Sequence, residues 1–301
     1  MRILVFRGGA LGDFLVTLPA LGLLRTKWPD ARIELIGHAG SAGLGVFGGY
    51  LDAAHSQHEA RWSALFADTL LPPALNAWLA EFDLVVNYWP DPEEILARRF
   101  PLRAGQQFIS APATPILDPA ARHFCEPLKA LGLYTTDFCS RLRLPTRTDV
   151  APPTSDLRRP VAIHPGSGSP RKNWPRERWM ELIAHLTGPI LLVLGEAEMQ
   201  RWSASSVARL SSADDKHVKV AFNRPLPELA AALARSWVFL GHDSGVSHLS
   251  AAVGTPCVLL FGPTRPAMWA PPGNHVRVLR RGTNLNTLSV AEVLNALSAE
   301  S

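Results

Sequence analysis

Three stretches of this chain combine glycine-rich turns with side chains that can move protons or hold anions. The first is Arg7-Gly8-Gly9-Ala10-Leu11-Gly12-Asp13. Glycines let the backbone turn sharply and expose amides at a helix start, so Gly9, Ala10 and Gly12 form the loop a ligand would meet on this side. Asp13 stands at the N-terminus of the following helix, where two readings apply. As an N-cap it would satisfy free amide donors, a contribution of ~1 kcal/mol. As a group facing a cleft it would act as a general base, although amide hydrogen bonds stabilise its charged form and weaken its basicity.

The second stretch runs from His164-Pro165-Gly166-Ser167-Gly168-Ser169 through Pro170-Arg171-Lys172-Asn173-Trp174-Pro175. Ser167 and Ser169 can donate to phosphate oxygens, and Gly168 allows a ligand close to the backbone. Arg171 and Lys172 bring positive charge to the same place, where a helix is expected to begin with Pro175 as its first residue. A lone lysine would read as solvated surface; hydroxyls, small residues and two cations converging at one strand end favour a phosphate contact for Lys172. Trp174 reads as packing, and His164 as a hydrogen-bonded strand end.

The third is Gly241-His242-Asp243-Ser244-Gly245-Val246-Ser247-His248. The amides of Ser244, Gly245 and Val246 would point out of the start of a small-residue helix, whose dipole favours a diphosphate. Asp243 either caps that helix or accepts hydrogen bonds from sugar hydroxyls. His248, inside the first turns, reads as buried and satisfied. A hydrolytic triad is disfavoured, because the G-x-S-x-G elbow is absent and adjacency in sequence does not produce triad geometry.

Other chemistries fit less well. Gly8, Gly9 and Gly12 do not match the dinucleotide fingerprint, and the strand Arg32–Ile36 ends in Gly37-His38 without an acidic ribose anchor. The spacing is wrong for a P-loop. No D-x-D closes a strand, Asp214-Asp215 reads as a solvated loop, and Cys125, Cys139 and Cys257 are scattered, as free thiols of a reducing compartment would be. A metal site is not expected.

The elements that would carry these loops alternate. The first half opens as a strand Arg2–Arg7, a helix from Asp13 to Trp28 and a strand Arg32–Ile36, with a further strand over Asp83–Tyr88, a helix over Asp118–Leu131 and a short strand Arg141–Leu144. Residues 37–60 suggest a short helix and loops. Pro145–Pro160, rich in Pro, Thr, Ser and Asp, reads as a linker. Beyond it strands and helices alternate strictly: Val161–His164, Ile190–Leu194, Val218–Ala221, Trp237–Leu240 and Cys257–Leu260 with helices over Pro175–Leu186, Ala197–Leu210, Leu226–Ala234 and Gly245–Val253. That is the pattern of a doubly wound parallel sheet, which binds ligands at the carboxyl ends of its strands. A last helix, Ser289–Ala299, is placed so that it could return to the first half.

The 30 Lys and Arg against 26 Asp and Glu leave a net charge of +4 in 301 residues, too modest for a dedicated nucleic-acid binder. The arginines do cluster, at Arg98, Arg99 and Arg103, at Arg141, Arg143 and Arg147, and at Arg158 and Arg159. They form either a solvated surface or a face for an anionic acceptor or membrane. No run approaches the ~20 apolar residues that span a bilayer, and no charged-then-apolar leader precedes the first strand, so a soluble cytoplasmic protein is expected.

Taken together, the three stretches resemble glycosyltransferase family 9, the ADP-heptose:lipopolysaccharide heptosyltransferases. The likeness is carried by Arg7 to Asp13 with Thr17-Leu18-Pro19-Ala20-Leu21, by His164-Pro165-Gly166 with Lys172 to Pro175 and Trp179, and by Asp243 to Leu249 with Gly254-Thr255-Pro256 and Phe261-Gly262-Pro263-Thr264. The resemblance implies an α/β chain of GT-B type, two Rossmann-like doubly wound domains facing a central cleft: an acceptor-binding domain over 1–150 and a nucleotide-sugar domain over 151–301. It implies an inverting transferase without metal or other cofactor, moving a heptose or related sugar from ADP-heptose to a lipopolysaccharide-core or similar glycan or glycolipid acceptor, in the cytoplasm and peripheral to the inner membrane, with no nucleic acid involved. Asp13 matches the family's base and Lys172 its donor-phosphate lysine. Ser167 and Gly168 match its phosphate-contacting pair, and Asp243, Ser244, Gly245 and His248 its donor loop. A glutamate after Ile190–Leu194 holds the ribose, with Glu198 favoured over Glu196. Two other classes compete: a GT-B-like enzyme using a UDP- or GDP-sugar, such as an epimerase, and a non-catalytic nucleotide-sugar-binding module.

Overall fold

A computed structural model describes residues 1–144, 159–199, 202 and 218–299. The chain divides into two compact units, Met1–Arg143 and Leu144–Ser301. Most of the expected linker, the helix over Ala197–Leu210 beyond its first turn, Asp214-Asp215, Arg147 and Arg158 lie outside the described residues.

The first unit is built on five parallel strands, β1 (Arg2–Arg7), β2 (Arg32–Gly37), β3 (Ala53–Ser56), β4 (Leu84–Asn87) and β5 (Gln107–Ser110), in the order β3-β2-β1-β4-β5. β1 is central, paired from Arg2↔Arg32 to Arg7↔Gly37 on one side and from Ile3↔Leu84 to Phe6↔Asn87 on the other. Its Ile3, Leu4, Val5 and Phe6 are fully buried, as a strand covered on both faces requires. The order reverses between β1 and β4, so the loops leaving these two strands diverge at their carboxyl ends. β3 and β5, absent from the sequence expectation, are four-residue, partly exposed edges with little apolar signal.

The helix expected over Asp13–Trp28 is two: α1 (Leu11–Leu15) and α2 (Leu18–Lys27). The cause is Pro19, which has no N–H and whose ring would strike the carbonyl of Leu15 four residues back. That carbonyl instead accepts from Ser140 Oγ at 2.6 Å. α3 (Ala39–Phe47), α4 (Pro73–Leu79), α5 (Ile95–Arg99) and α6 (Ala120–Cys125) complete the unit, α6 passing at Pro127 into a 3₁₀ turn over Glu126–Leu131. Residues 141–144 form no strand; there Tyr50 donates its hydroxyl proton to the Arg141 carbonyl and Arg141 pairs with Asp137.

The second unit holds six parallel strands, β6 (Val161–His164), β7 (Ile190–Leu194), β8 (Val218–Phe222), β9 (Val238–His242), β10 (Cys257–Phe261) and β11 (Val276–Arg280), in the order β11-β10-β9-β6-β7-β8. This is the Rossmann order, with its reversal between β6 and β9. β11, beyond the series read from sequence, is a half-buried edge strand. The helices are α7 (Arg176–His185), α8 (Glu196–Met199), α9 (Leu226–Ala234), α10 (Gly245–Ala252), α11 (Pro266–Trp269) and α12 (Val290–Ser298). α12 begins in a capping box between Ser289 and Glu292. Its apolar face, Val290, Val293, Ala296 and Leu297, belongs to this unit's own core with Trp179 and Leu182.

Candidate active site

In the first unit the loop after β1 is organised around Asp13. Gly9 takes φ +93°, and a Cβ there would lie 2.5 Å from Asp13 Oδ2, so both the backbone and the space demand glycine. Ala10, not Asp13, occupies the N-cap of α1. Asp13 is the third helical residue, and its Oδ2 reaches back to accept from the Ala10 amide at 2.9 Å. The other carboxylate oxygen, Oδ1, lies 3.3 Å from Arg7 Nη2. Asp13 keeps 39% of its side chain exposed, whereas Arg7 keeps 5%. Burial pulls the Arg7 guanidinium down from its ordinary value, and the Asp13 charge opposes that shift. Gly9 and Ala10 are exposed and Gly12 sits within α1, so the loop lies open around the carboxylate.

The switch point of the second unit gathers the other two stretches. Lys172 Nζ stands 2.9 Å from Asp243 Oδ2 and 3.5 Å from the Asp243 carbonyl. Lys172 leaves the loop after β6 and Asp243 the loop after β9, and these strands are hydrogen-bonded neighbours. The expectation of Asp243 as a cap is replaced by this ion pair. The cap of α10 is Ser244, whose Oγ accepts from Ser247 N at 3.3 Å. The amides of Gly245 and Val246 occupy the first two helical positions, where an α-helix has no internal acceptor for them. His248 is buried.

One sequence expectation about the loop after β6 changes. Pro175 is the N-cap of α7 rather than its first residue. Pro170–Lys172 form a 3₁₀ turn. The Ser167 hydroxyl is engaged locally, 2.6 Å from Asn173 Oδ1 and 2.8 Å from the Ser169 carbonyl. Arg171 is exposed, as is Gly168, around which a Cβ would meet open space. Glu198 turns its carboxylate toward the carboxyl ends of β6 and β7: Oε2 accepts from Gly195 N at 2.8 Å, and a Cβ at Gly166 would collide with Oε1. Glu196 is exposed, 3.3 Å from Asn223 Nδ2.

His242, given no role of its own above, is the element that sequence reasoning missed. It is fully buried, accepts from Trp174 N through Nε2 at 2.8 Å and donates from Nδ1 to the Gly166 carbonyl at 3.3 Å. One neutral imidazole thus ties both ends of the loop that carries Lys172. Burial, above all, pushes its pKa down to about 3. The available signal was a polar residue closing an otherwise apolar strand, Val238–His242. His164 behaves as expected, its Nδ1 3.0 Å from the Val193 carbonyl, and Trp174 packs in the core with Nε1 donating to Leu288 O.

The arginine clusters are partly structural. Arg99 donates to Thr69 O and pairs with Asp68, Arg141 pairs with Asp137, and Arg159 caps the end of α9 through the carbonyls of Ala234, Arg235 and Ser236. Arg98 and Arg103 are exposed. Among the described residues no group of three His, Cys, Asp or Glu could hold a metal ion, and no helix is long and apolar enough to cross a membrane.

Two Rossmann-like parallel sheets, each with anion-ready or acid-bearing loops at its switch point, define a GT-B protein. The sequence pattern of glycosyltransferase family 9 (heptosyltransferase) matches residues 129–294, more than half of the chain, which therefore belongs to that family. It is 31% identical over 133 residues to lipopolysaccharide heptosyltransferase 1 of Escherichia coli K12, covering 42% of this chain and 40% of that protein. The matched stretch thus spans about two fifths of that curated relative. The fold extends further. The E. coli heptosyltransferase WaaC with ADP-2-deoxy-2-fluoro heptose superposes with a TM-score of 0.73 at 22% identity over 100% of both chains. E. coli ADP-heptose lps heptosyltransferase II gives 0.77 at 17% identity over 100% of this chain and 98% of that one.

Proposed function

We propose that this chain is an inverting, metal-independent glycosyltransferase that moves a heptose or related sugar from an ADP-sugar to a lipopolysaccharide-core or similar glycan acceptor. The observation that carries the reading is the Lys172–Asp243 pair at the switch point of the second sheet, beside the open amides of Gly245 and Val246. A cation, a carboxylate and a helix start at one strand end suit a sugar diphosphate: ammonium and amides for the phosphates, carboxylate for sugar hydroxyls. Glu198, with its carboxylate at the ends of β6 and β7, suits the ribose. Family membership supports the reaction class, and the names of the relatives support the ADP-heptose donor.

In this reading the first unit supplies the base and the second the donor site. Asp13 takes the proton of an acceptor hydroxyl while that oxygen forms a bond to the anomeric carbon from the face opposite the diphosphate. The bond from that carbon to the diphosphate oxygen breaks, the electron pair leaves with ADP, and the configuration inverts. Lys172 and the α10 amides stabilise the charge gathering on the leaving group, the service a divalent cation renders in other transferases. Exposed Arg98 and Arg103 would favour an anionic acceptor at a membrane surface.

The test is calorimetric titration of ADP, UDP, GDP and their sugars, with Mg²⁺ and with EDTA, followed by mass spectrometry of lipopolysaccharide core incubated with ADP-heptose. Binding of ADP that ignores Mg²⁺, with a heptose added to the core, is expected. Preference for UDP or GDP would change the donor, and absence of all binding would overturn the proposal.

A further inference from the structure

Arg7 is the least expected residue in the first unit: an arginine, 5% exposed, at the carboxyl end of the central strand. Its guanidinium lies over the Phe124 ring of α6, 4.2 Å from the centroid. Nε points at the break between α1 and α2, 3.1 Å from the Asp13 carbonyl and 3.0 Å from Thr17 Oγ1. That carbonyl lacks its ordinary helical partner, because the Thr17 amide bonds to Phe14 O, and Thr17 Oγ1 also donates to it at 2.9 Å. Nη2 points at Asp13 Oδ1. Two nitrogens of one planar group therefore grip the backbone and the side chain of the same aspartate. Besides Asp13, the titratable group facing Arg7 is the buried Tyr88 phenol, which donates to Phe124 O.

A residue needed only to hold the helix break would use Nε and the ring and leave the carboxylate alone. The fork does more. With Oδ1 held by Arg7 and Oδ2 by the Ala10 amide, the carboxylate is clamped on both oxygens, and the lone pairs left over belong to its exposed edge. Fixing a reacting group in one orientation lowers the barrier without any contact to substrate. We infer that Arg7 is a positioning residue for Asp13, clamping its carboxylate so that only its solvent-facing edge meets the acceptor hydroxyl. This rests on the reading of Asp13 as the base.

The experiment follows ADP release from ADP-heptose with O-deacylated lipopolysaccharide core as acceptor, per folded enzyme as counted by circular dichroism, for Arg7→Met, Arg7→Gln, Arg7→Lys and Asp13→Asn. Arg7→Met and Arg7→Gln are expected to lower kcat about 10- to 100-fold while ADP affinity stays within about 2-fold, since the clamp touches no donor group. Arg7→Lys, which keeps a cation that can reach the carboxylate, should restore most of the rate. Should Arg7→Met fail to fold, Arg7→Gln, which keeps an amide donor, carries the comparison. A kcat per folded molecule that is unchanged, or that falls as far in Arg7→Lys as in Arg7→Met, would overturn the proposal and leave Arg7 a support of the fold. Asp13→Asn separates the two claims: if it stays active the base assignment itself fails, whereas an inactive Asp13→Asn with an unchanged kcat in Arg7→Met sinks only the clamp.

Discussion

Lys172 and Asp243 stand 71 residues apart in sequence and 2.9 Å apart in space, on loops leaving two hydrogen-bonded strands. Asp243 is almost buried, with 9% of its side chain exposed against 27% for Lys172. Each charge is therefore the other's principal compensation in the unliganded protein. In the proposed donor site, a diphosphate would compete with a carboxylate for the same ammonium.

Replacing Lys172 has two expected effects. Lys172→Ala removes a charge-assisted hydrogen bond to phosphate and leaves Asp243 repelling the ligand, so ADP binding should weaken by roughly 1.5–3 kcal/mol, about 10- to 150-fold. In Lys172→Ala/Asp243→Asn the repulsion is gone and part of that loss should return. Calorimetry on the wild type, both single variants and the double closes the cycle. Affinity unchanged in Lys172→Ala would remove this lysine from the donor site.

Acid should destabilise the second unit in a way that His242 explains. In the unfolded chain this imidazole titrates near its ordinary 6.5, in the fold only near about 3. Between those values the unfolded state binds the extra proton, so stability is full above pH 6.5 and declines as the pH falls, by up to about 1.4 kcal/mol per pH unit for each such group. His164, also depressed chiefly by burial, adds to the slope. Urea midpoints from pH 7 to pH 4.5 should fall for the wild type and fall less steeply for His242→Gln. His242→Phe should lose about 2–5 kcal/mol at neutral pH, because it strands the Trp174 amide and the Gly166 carbonyl. Parallel slopes for wild type and His242→Gln would contradict the buried neutral assignment.

Gly9 is a sharper probe of the Asp13 loop than the aspartate itself. Gly9→Ala imposes a left-handed conformation on alanine, about 1–2 kcal/mol, and pushes a methyl group into Asp13 Oδ2. Both the melting temperature and kcat should drop. Gly168→Ala, with open space around its Cβ and no positive φ, should melt within about 0.5 kcal/mol of the wild type. Equal melting of the two variants would show that the Gly9 turn is not under the constraint described.

Gly166 and Glu198 should behave as a coupled pair. Gly166→Ala collides with the Glu198 carboxylate, so the single variant should weaken ADP binding, and Gly166→Ala/Glu198→Ala should lose less than the sum of the singles. If Glu198 holds the ribose, Glu198→Gln should reduce the affinity for ADP more than for its 2′,3′-dideoxy analogue. Equal reductions would place the carboxylate elsewhere in the site.

What the sequence made legible follows strength of periodicity. The central strands β1, β6, β7, β9 and β10 are apolar runs, since a strand covered on both faces cannot alternate, and each was placed within two residues of its bounds. β3, β5 and β11 are partly exposed edges, and their mixed residues give no clean period. The first unit's aromatic cluster, with Trp62 and Trp78 against His55 and Phe82 against Trp78, is drawn from an edge strand, a 3₁₀ turn, α4 and the turn before β4, and carries no local pattern. The three glycine- and charge-bearing loops stand out because each follows directly on an apolar strand. Their internal wiring was not legible: which residue caps α1, where Glu198 turns and what His242 bridges are decided by atoms distant in sequence. Pro19 alone could have divided the first helix.

That proline has a consequence for anyone who would rebuild this loop. The break it makes frees a carbonyl at Leu15 for Ser140 and leaves the one at Asp13 to Thr17 and Arg7, so the acid is seated by an interruption in the helix rather than by the helix. Arg7, Asp13, Thr17 and Pro19 are in effect a cassette with fixed intervals. Transplanted together to the end of another central strand, with an aromatic ring beneath the guanidinium, they carry their own scaffolding; the aspartate grafted alone would arrive on an unbroken helix with nothing to hold it.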